Sequence, residues 1–128
     1  MQHSLWKMYS TIRNGLLAGK HSVVHPYKSI CLKVLVVMYK EGYINGFRKL
    51  PNEPNKIEIF LKYINRKPAI SKFSSISKPA RRIYTSVDAL WKLRTSLQTF
   101  VISTPHGILS DKECRKGHLG GEILCILF

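Results

Sequence analysis

The stretch STPHGILSDKECRKGHLGGE, residues Ser103–Glu122, sets the pattern for the second half of the chain. Ser110 followed by Glu113 fits a capping box, in which a serine hydroxyl and a glutamate side chain begin a helix. Gly117 is placed to end that helix. Strand-like sequence precedes and follows the stretch, so it predicts a short helix between two β-strands.

The remainder of the second half reads as further strands and one more helix. Runs of β-branched and aromatic residues predict strands at AISKFSSIS, RRIYTS, TFVIS and EILCILF. A helix that Ser86 caps is predicted to continue as far as Leu97. The sequence therefore predicts a mostly antiparallel β lobe with short helices.

The first half predicts two helices and three strands. The first helix has an apolar face of Leu5, Met8, Tyr9, Ile12 and Leu16. Gly15 lowers its helix propensity, and Gly19 ends it. A second helix is capped by Ser29 and ends at Gly42. Its apolar face is Ile30, Val34, Val37 and Met38.

The three strands of the first half are predicted at HSVVHPY, YINGFRKL and KIEIFLKY. Pro26 confines the first of them to a sheet edge or a strand end. The other two flank the turn-rich PNEPN and form an antiparallel pair. The chain is therefore predicted to be α+β, with two small lobes that share a core. Residues 1–64 form an α-β-α-β-β lobe and residues 65–128 the β-rich one, with the boundary at NRKP.

Charge restricts the class of partner. The chain has 21 Lys and Arg against 7 Asp and Glu, a net charge of +14. A compact domain with that excess repels itself, and a nucleic acid relieves the repulsion while it releases counterions. The longest apolar run, VLVVMY, falls far short of the roughly 20 residues that span a bilayer. RNA or DNA is thus the expected partner, and not a membrane.

Cysteine usage and the N-terminus bear on the compartment. Cys31, Cys114 and Cys125 are an odd set without a C-x-x-C pair, which favours a reducing compartment over a disulfide framework. The first fifteen residues lack the long apolar segment of a secretory signal. We therefore expect a protein that works where it is made, or nearly so.

Two kinds of chemistry compete for the stretch Ser103–Glu122. Ser103, His106 and Asp111 have the residue types of a hydrolase, but no G-x-S-x-G is present and Asp111 falls where a carboxylate complements a helix dipole. Cys114 and His118, at i and i+4, offer half of a zinc site without a second cluster. We expect no catalytic residue, metal, cofactor or small-molecule substrate, and keep the hydrolase or zinc protein as the alternative.

Recognition of RNA suits the same stretch better. Ser103 and Thr104 at a strand end offer hydroxyls and backbone N–H groups to phosphate and sugar oxygens. Gly120 and Gly121 allow a close backbone approach, although an ordinary helix-to-strand turn would also use them. Glu122 can accept hydrogen bonds from base amino groups, which Lys and Arg cannot do.

Four motifs together resemble the universal small-subunit ribosomal protein eight family, of the bacterial and organellar type. STPHGILSDKECRKGHLGGEILC is similar to the family's Ser-Thr loop, short helix and Gly-Gly-Glu turn. Three further segments resemble segments of the family and follow one another in the family's order: TIRNG, KEGYI and SISKPARRIY. The chain departs from the family at Lys7, where Asp is usual, at Pro105, where Ser is common, and at Ala80-Arg81, where a Gly-apolar pair is usual.

The resemblance implies a two-lobed α+β protein that binds the central domain of small-subunit rRNA early in assembly, next to neighbouring small-subunit proteins. The C-terminal lobe would carry most of that contact. Carried over by position, the RNA-binding residues are Ser103, Thr104, Gly120, Gly121, Glu122, Tyr84, Lys78, Arg82, Arg13 and Asn14. Richness in Ile, Lys, Asn, Tyr and Phe favours a mitochondrial ribosome over a plastid or bacterial one.

Overall fold

The computed structural model describes residues 2–71, 73–75, 84–86 and 98–128. The chain divides into two compact units, Met1–Ile70 and Ser71–Phe128. The boundary predicted after residue 64 falls at the loop of a small hairpin, a few residues before this division. Helices and antiparallel sheets occur together, so the predicted α+β class is confirmed.

The first unit has the predicted order of two helices and three main strands, followed by a two-stranded hairpin. Its elements are α1 (Gln2–Leu17), β1 (Ser22–Pro26), α2 (Ser29–Lys40), β2 (Ile44–Leu50), β3 (Glu53–Leu61), β4 (Tyr63–Ile64) and β5 (Lys67–Pro68). The main sheet has the order β1-β3-β2, with both pairs antiparallel. Pro26 ends β1, which is an edge strand as predicted. The turn between β2 and β3 is shorter than PNEPN, because β3 already begins at Glu53.

The core of this unit combines helical and strand periodicity. Most of the predicted apolar face of each helix is buried, with Leu16 and Ile30 half-buried, and alternate residues of β3 are buried as the sequence predicts. The buried set comprises Leu5, Met8, Tyr9, Ile12, Cys31, Val34, Leu35, Val37, Met38, Ile57, Ile59 and Leu61. The intervening residues of β3 are only partly buried, so one face of the sheet carries the core.

Both helices of the first unit end in Schellman motifs. Gly19 and Gly42 have φ values of 69° and 81°, and the residues that follow them donate to carbonyls five positions back. The start of α2 differs from the prediction. Lys28 is the extended N-cap residue and has no side-chain capping bond, while Ser29 is already helical. The prediction of Ser29 as the N-cap residue was therefore wrong.

Gly15 lowers the helix propensity of α1 but lets the helix approach β1. The residue is buried, and a Cβ built on it would overlap the Val23 Cγ1 and lie 3.0 Å from the Leu61 Cδ1. Valine is stiff about χ1, so its methyl group cannot swing away cheaply. Packing of α1 against β1 thus requires glycine at position 15, although glycine lowers the helix propensity.

The described part of the second unit forms one antiparallel sheet and a short helix. Its elements are β6 (Phe73–Ser75), β7 (Tyr84–Thr85), β8 (Thr99–Thr104), β9 (Gly107–Ser110), α3 (Asp111–Gly117) and β10 (Gly121–Leu127). The strand order is β6-β10-β8-β9, and β7 also pairs with β10. Strand β9 was not predicted. Residues 87–97 of the helix that was predicted to begin at Ser86 lie outside the described residues. No helix in the described part of the chain is long and apolar enough to cross a membrane.

His25 is a titratable group inside the first unit. It is 4% exposed, and its Nε2 lies 3.8 Å from the Cys31 Sγ. Burial holds the pKa of His25 below its usual 6.5; a hydrogen bond with the Ser4 backbone acts in the opposite direction, and the charge of Lys7 lowers the pKa further. Below pH 6.5, His25 is therefore protonated more readily in the unfolded chain than in the folded one.

Replacement of Gly15 by Ala is expected to lower the free energy of unfolding by about 1–3 kcal/mol through overpacking against Val23. Helix propensity alone predicts a gain of about 1 kcal/mol. Asn14→Ala, at the exposed neighbouring position, is the control and should stabilise slightly. Urea denaturation measures both variants. A Gly15→Ala variant as stable as Asn14→Ala would contradict the packing argument.

Stability is expected to fall as the pH drops below 6.5, because burial makes protonation of His25 less favourable in the folded state than in the unfolded one. Thermal unfolding at several pH values measures this dependence. His25→Gln should flatten the curve in that window, whereas His21→Gln, which changes an exposed imidazole, should leave it as steep as in the wild type. Equal curves for wild type and His25→Gln would show that His25 does not cause the pH dependence.

Candidate nucleic-acid interface

Strand β10 brings three of the predicted RNA-binding residues into one row. Glu122 pairs with Ser103 of β8 on one side and with Tyr84 of β7 on the other. Ser103 pairs in turn with Ile108 of β9. Directly opposed residues of antiparallel strands project to the same face of a sheet. We call Tyr84, Glu122, Ser103 and Ile108 the cross-strand row.

The cross-strand row is accessible and chemically mixed. The Tyr84 residue is 66% exposed, while Glu122, Ser103 and Ile108 are half-buried. Two strand spacings of about 4.8 Å separate Tyr84 from Ser103, so these two residues lie about 10 Å apart, and Ile108 lies one spacing further on. The row therefore presents an aromatic ring, a carboxylate and a hydroxyl at spacings comparable to those within a nucleotide.

Gly121 makes the register of the row possible. It pairs with Thr85 of β7 and lies against β8. A Cβ built on Gly121 would overlap the Ser103 carbonyl oxygen and lie 3.3 Å from the Ile102 Cγ2. Backbone atoms cannot rotate aside as side chains can, so only glycine fits here. The role of this glycine is close contact within the sheet, which the sequence alone did not distinguish from a turn.

The Thr104 hydroxyl closes the turn from β8 to β9. It donates to the Gly107 carbonyl at 2.7 Å and accepts from the His106 N–H at 3.2 Å. Pro105 and His106 form the two-residue loop, and Gly107 has a φ of 121°. The sequence predicted a hydroxyl left free for RNA. Instead it shapes the loop, because β9 folds back directly after Thr104.

Ser110 is the N-cap residue of helix α3, as predicted. The Ser110 Oγ accepts from the Glu113 N–H at 3.3 Å, and the Glu113 Oε1 lies 3.5 Å from the same oxygen. The helix ends at Gly117, also as predicted. The left-handed residue of its Schellman motif is the next one, His118, with a φ of 53°.

Asp111, the carboxylate of the hydrolase alternative, has a structural role. Asp111 is 1% exposed; its Oδ2 accepts from the Arg115 Nη2 at 2.8 Å and its Oδ1 from the Phe100 N–H at 3.3 Å. Arg115 is buried as well. The Oδ1 oxygen therefore anchors α3 to β8 and the Oδ2 oxygen pairs within α3, so neither orients a histidine. The pairing of Asp111 with Arg115 at i and i+4 was visible in the sequence but was not used.

Cys114 of the zinc alternative is also a core residue. It is buried with Ile102 and Ile123, and Leu119 packs on the same cluster. Burial raises the pKa of the Cys114 thiol to about 11, with help from the charges of Asp111 and Glu113. A protonated thiol is a poor metal ligand. Among the described residues, no group of three or more His, Cys, Asp and Glu side chains is placed to hold a metal ion.

Comparison with known proteins decides the family. The profile of Ribosomal protein S8 matches residues 4–128, almost the whole chain. The chain belongs to the ribosomal protein S8 family. The resemblance to the universal small-subunit ribosomal protein eight is thus confirmed, and the S8 family is structural and not enzymatic.

Individual relatives align with this chain over nearly their full lengths. The chain is 42% identical to small ribosomal subunit protein uS8 of Zymomonas mobilis, over 97% of this chain and 95% of the relative. It is 40% identical to that of Buchnera aphidicola, over 98% and 96%. It is 38% identical to that of Paramagnetospirillum magneticum, over 100% and 98%. These organisms are bacteria, so the relatives do not support the mitochondrial prediction.

The other predicted RNA-binding residues of this S8 chain are not members of the row. Arg13 and Asn14 are exposed on α1, in the first unit. Lys78 and Arg82 lie outside the described residues. Gly120 is half-buried directly before β10. The sequence missed Ile108, because the turn signal Pro105-His106-Gly107 was not read as the start of a hairpin.

Replacement of Gly121 by Ala is expected to cost about 1–3 kcal/mol of unfolding free energy, because a Cβ would separate β10 from β8. Gly117→Ala is the matched control. Its Cβ would lie 3.3 Å from the flexible end of Leu119, so the change should stay within about 0.5 kcal/mol. Chemical denaturation measures both. Equal stability of the two variants would contradict the close contact of Gly121 with Ser103.

Proposed function

We propose that this chain binds the central domain of small-subunit rRNA through the cross-strand row and thereby supports assembly of the small ribosomal subunit. The relatives named above are small ribosomal subunit proteins. The observation that carries the site is the register of β10, which places Glu122 between Tyr84 and Ser103.

Each side chain of the row suits one part of an RNA strand. The exposed Tyr84 ring can stack on an unpaired base. The Glu122 carboxylate accepts hydrogen bonds from base amino groups, and the Ser103 hydroxyl can bond a 2′-hydroxyl or a phosphate oxygen. An RNA minor groove is wide and shallow, so a sheet surface with short side chains can approach it. The target is therefore a stem with an irregular internal loop.

The remaining predicted residues have supporting roles in this proposal. Thr104 and Gly121 hold the loop and the register, so they act on RNA through the backbone of β8. Gly120 leaves room directly before β10. Lys78, Arg82 and Arg13 supply positive charge to phosphates, and Asn14 a hydrogen bond. With a net charge of +14, binding should weaken steeply as salt rises.

The ribosome in question is of the bacterial type. The relatives are bacterial, and on that similarity the bacterial cytoplasm is at least as well supported as the mitochondrial matrix. Neighbouring small-subunit proteins are the expected protein partners. Sedimentation of this chain with small subunits from the source organism, after separation of any organelles, would assign the compartment.

Three variants of the row test the site on a transcript of the central domain. Tyr84→Ala should weaken binding about tenfold through loss of stacking, while Tyr84→Phe keeps most of the affinity. Glu122→Gln should lower the ratio of specific to non-specific binding, although it removes a negative charge. Ser103→Ala should have a smaller effect. Filter binding at fixed salt measures all of them.

The control is Tyr39→Ala, which removes another exposed tyrosine, on α2 of the first unit. It should bind like the wild type, and all variants should unfold within about 1 kcal/mol of the wild type. If Tyr84→Ala and Glu122→Gln also bind like the wild type, the row is not the RNA-binding surface.

A further inference from the structure

The hairpin of β4 and β5 contains an arginine in a backbone conformation that suits glycine. Ile64 pairs with Lys67 across a two-residue loop, Asn65-Arg66, whose φ values are 53° and 67°. Positive φ at both positions is the geometry of a type I′ turn, which prefers Asn first and Gly second. Asn65 fits that preference. Arg66 does not, because its Cβ approaches the carbonyl oxygen that follows it.

Arg66 is the outlier among the left-handed residues. The other non-glycine residues with positive φ in the described part of the chain are Asn65 and His118. Asn and His occur several times more often than other types in this region, whereas Arg is not favoured there. A strained residue that persists where glycine would fit points to a function of its side chain.

The surroundings of Arg66 are basic and open. Arg66 and Lys67 are exposed, and Lys62 precedes the hairpin. The sequence from residue 59 to residue 87 contains no Asp or Glu. Within the described ranges, the Arg66 side chain makes no hydrogen bond or ion pair, unlike Arg48, which pairs with Glu58 at 2.9 Å. The Arg66 guanidinium is therefore available to a ligand.

The base of the hairpin is held firmly. The Tyr63 hydroxyl donates to the Lys20 carbonyl at 2.7 Å, and the Ala69 N–H donates to the Lys62 carbonyl at 2.9 Å. Binding therefore orders mainly the outer side chains and little of the backbone, which lowers its entropic cost. We call residues 62–67 the basic hairpin.

We infer that the basic hairpin binds RNA phosphate with Arg66 as its main contact. A guanidinium forms paired hydrogen bonds with two phosphate oxygens, and Lys67 adds charge next to it. This contact lies in the first unit and is distinct from the cross-strand row. The inference rests on the proposed function, since it takes small-subunit rRNA as the source of the phosphate.

The test compares stability and affinity in the same variants, with a full-length small-subunit rRNA transcript as the probe. Arg66→Gly should raise the melting temperature by about 2–6 °C, because glycine adopts positive φ freely. The same variant should lower the slope of log affinity against log salt by about one, and weaken binding about fivefold near 0.15 M salt. Stability and affinity are thus expected to move in opposite directions.

Two further variants separate charge from strain. Arg66→Lys keeps the charge and the strain, so its salt slope and its melting temperature should stay close to the wild type. Lys33→Gln, at an exposed position on α2, removes a charge away from the hairpin and should leave the slope unchanged. If Arg66→Gly binds rRNA with the wild-type slope and affinity, the inference is overturned. The inference is also overturned if Arg66→Gly binds RNA normally but fails to enter small subunits, because the hairpin would then contact a protein.

The result is independent of the test of the cross-strand row. Failure of the Tyr84 and Glu122 variants to weaken binding would refute the row and leave the Arg66 measurement valid. Failure of the wild type to prefer small-subunit rRNA to an unrelated transcript of equal length would refute the proposed function and, with it, this inference.

Discussion

The contact between Gly121 and the Ser103 carbonyl is the constraint on which the interface depends. Any side chain at Gly121 would separate β10 from β8. With glycine there, β10 pairs with β7 and β8 at once, and Glu122 lies between Tyr84 and Ser103. Buried Asp111 then fixes α3 to β8 through the Phe100 N–H and pairs with Arg115 within the helix, so the loop before β10 starts from an anchored helix. The proposed interface thus depends on backbone packing more than on any single reactive group.

The two units solve the problem of high charge in the same way. Among the described residues, most apolar side chains are buried and most basic ones lie at the surface. Buried Arg115 is paired with Asp111. Helix ends follow one rule as well: α1, α2 and α3 all close with a Schellman motif. Two of these use glycine, and the third uses His118.

Much of the fold was predictable because it depends on local patterns. Alternation in β3, helical periodicity in α1 and the Ser110 cap each act over a few residues, and the structure confirms all three. Contacts between distant residues were not predictable. The sequence cannot show that Gly15 meets Val23, or that the Thr104 hydroxyl closes a turn. The family resemblance supplied the candidate residues, but only the sheet register shows which of them are neighbours.

Photocrosslinking from position 84 shows whether the cross-strand row faces RNA. Tyr84 is replaced by the photoreactive p-benzoylphenylalanine, the variant is assembled into small subunits, and the products of irradiation are mapped. The account predicts a crosslink to the central domain of small-subunit rRNA, and none to that domain from the same group placed at Tyr39. Crosslinks from position 84 to protein alone, or to rRNA outside the central domain, would contradict it.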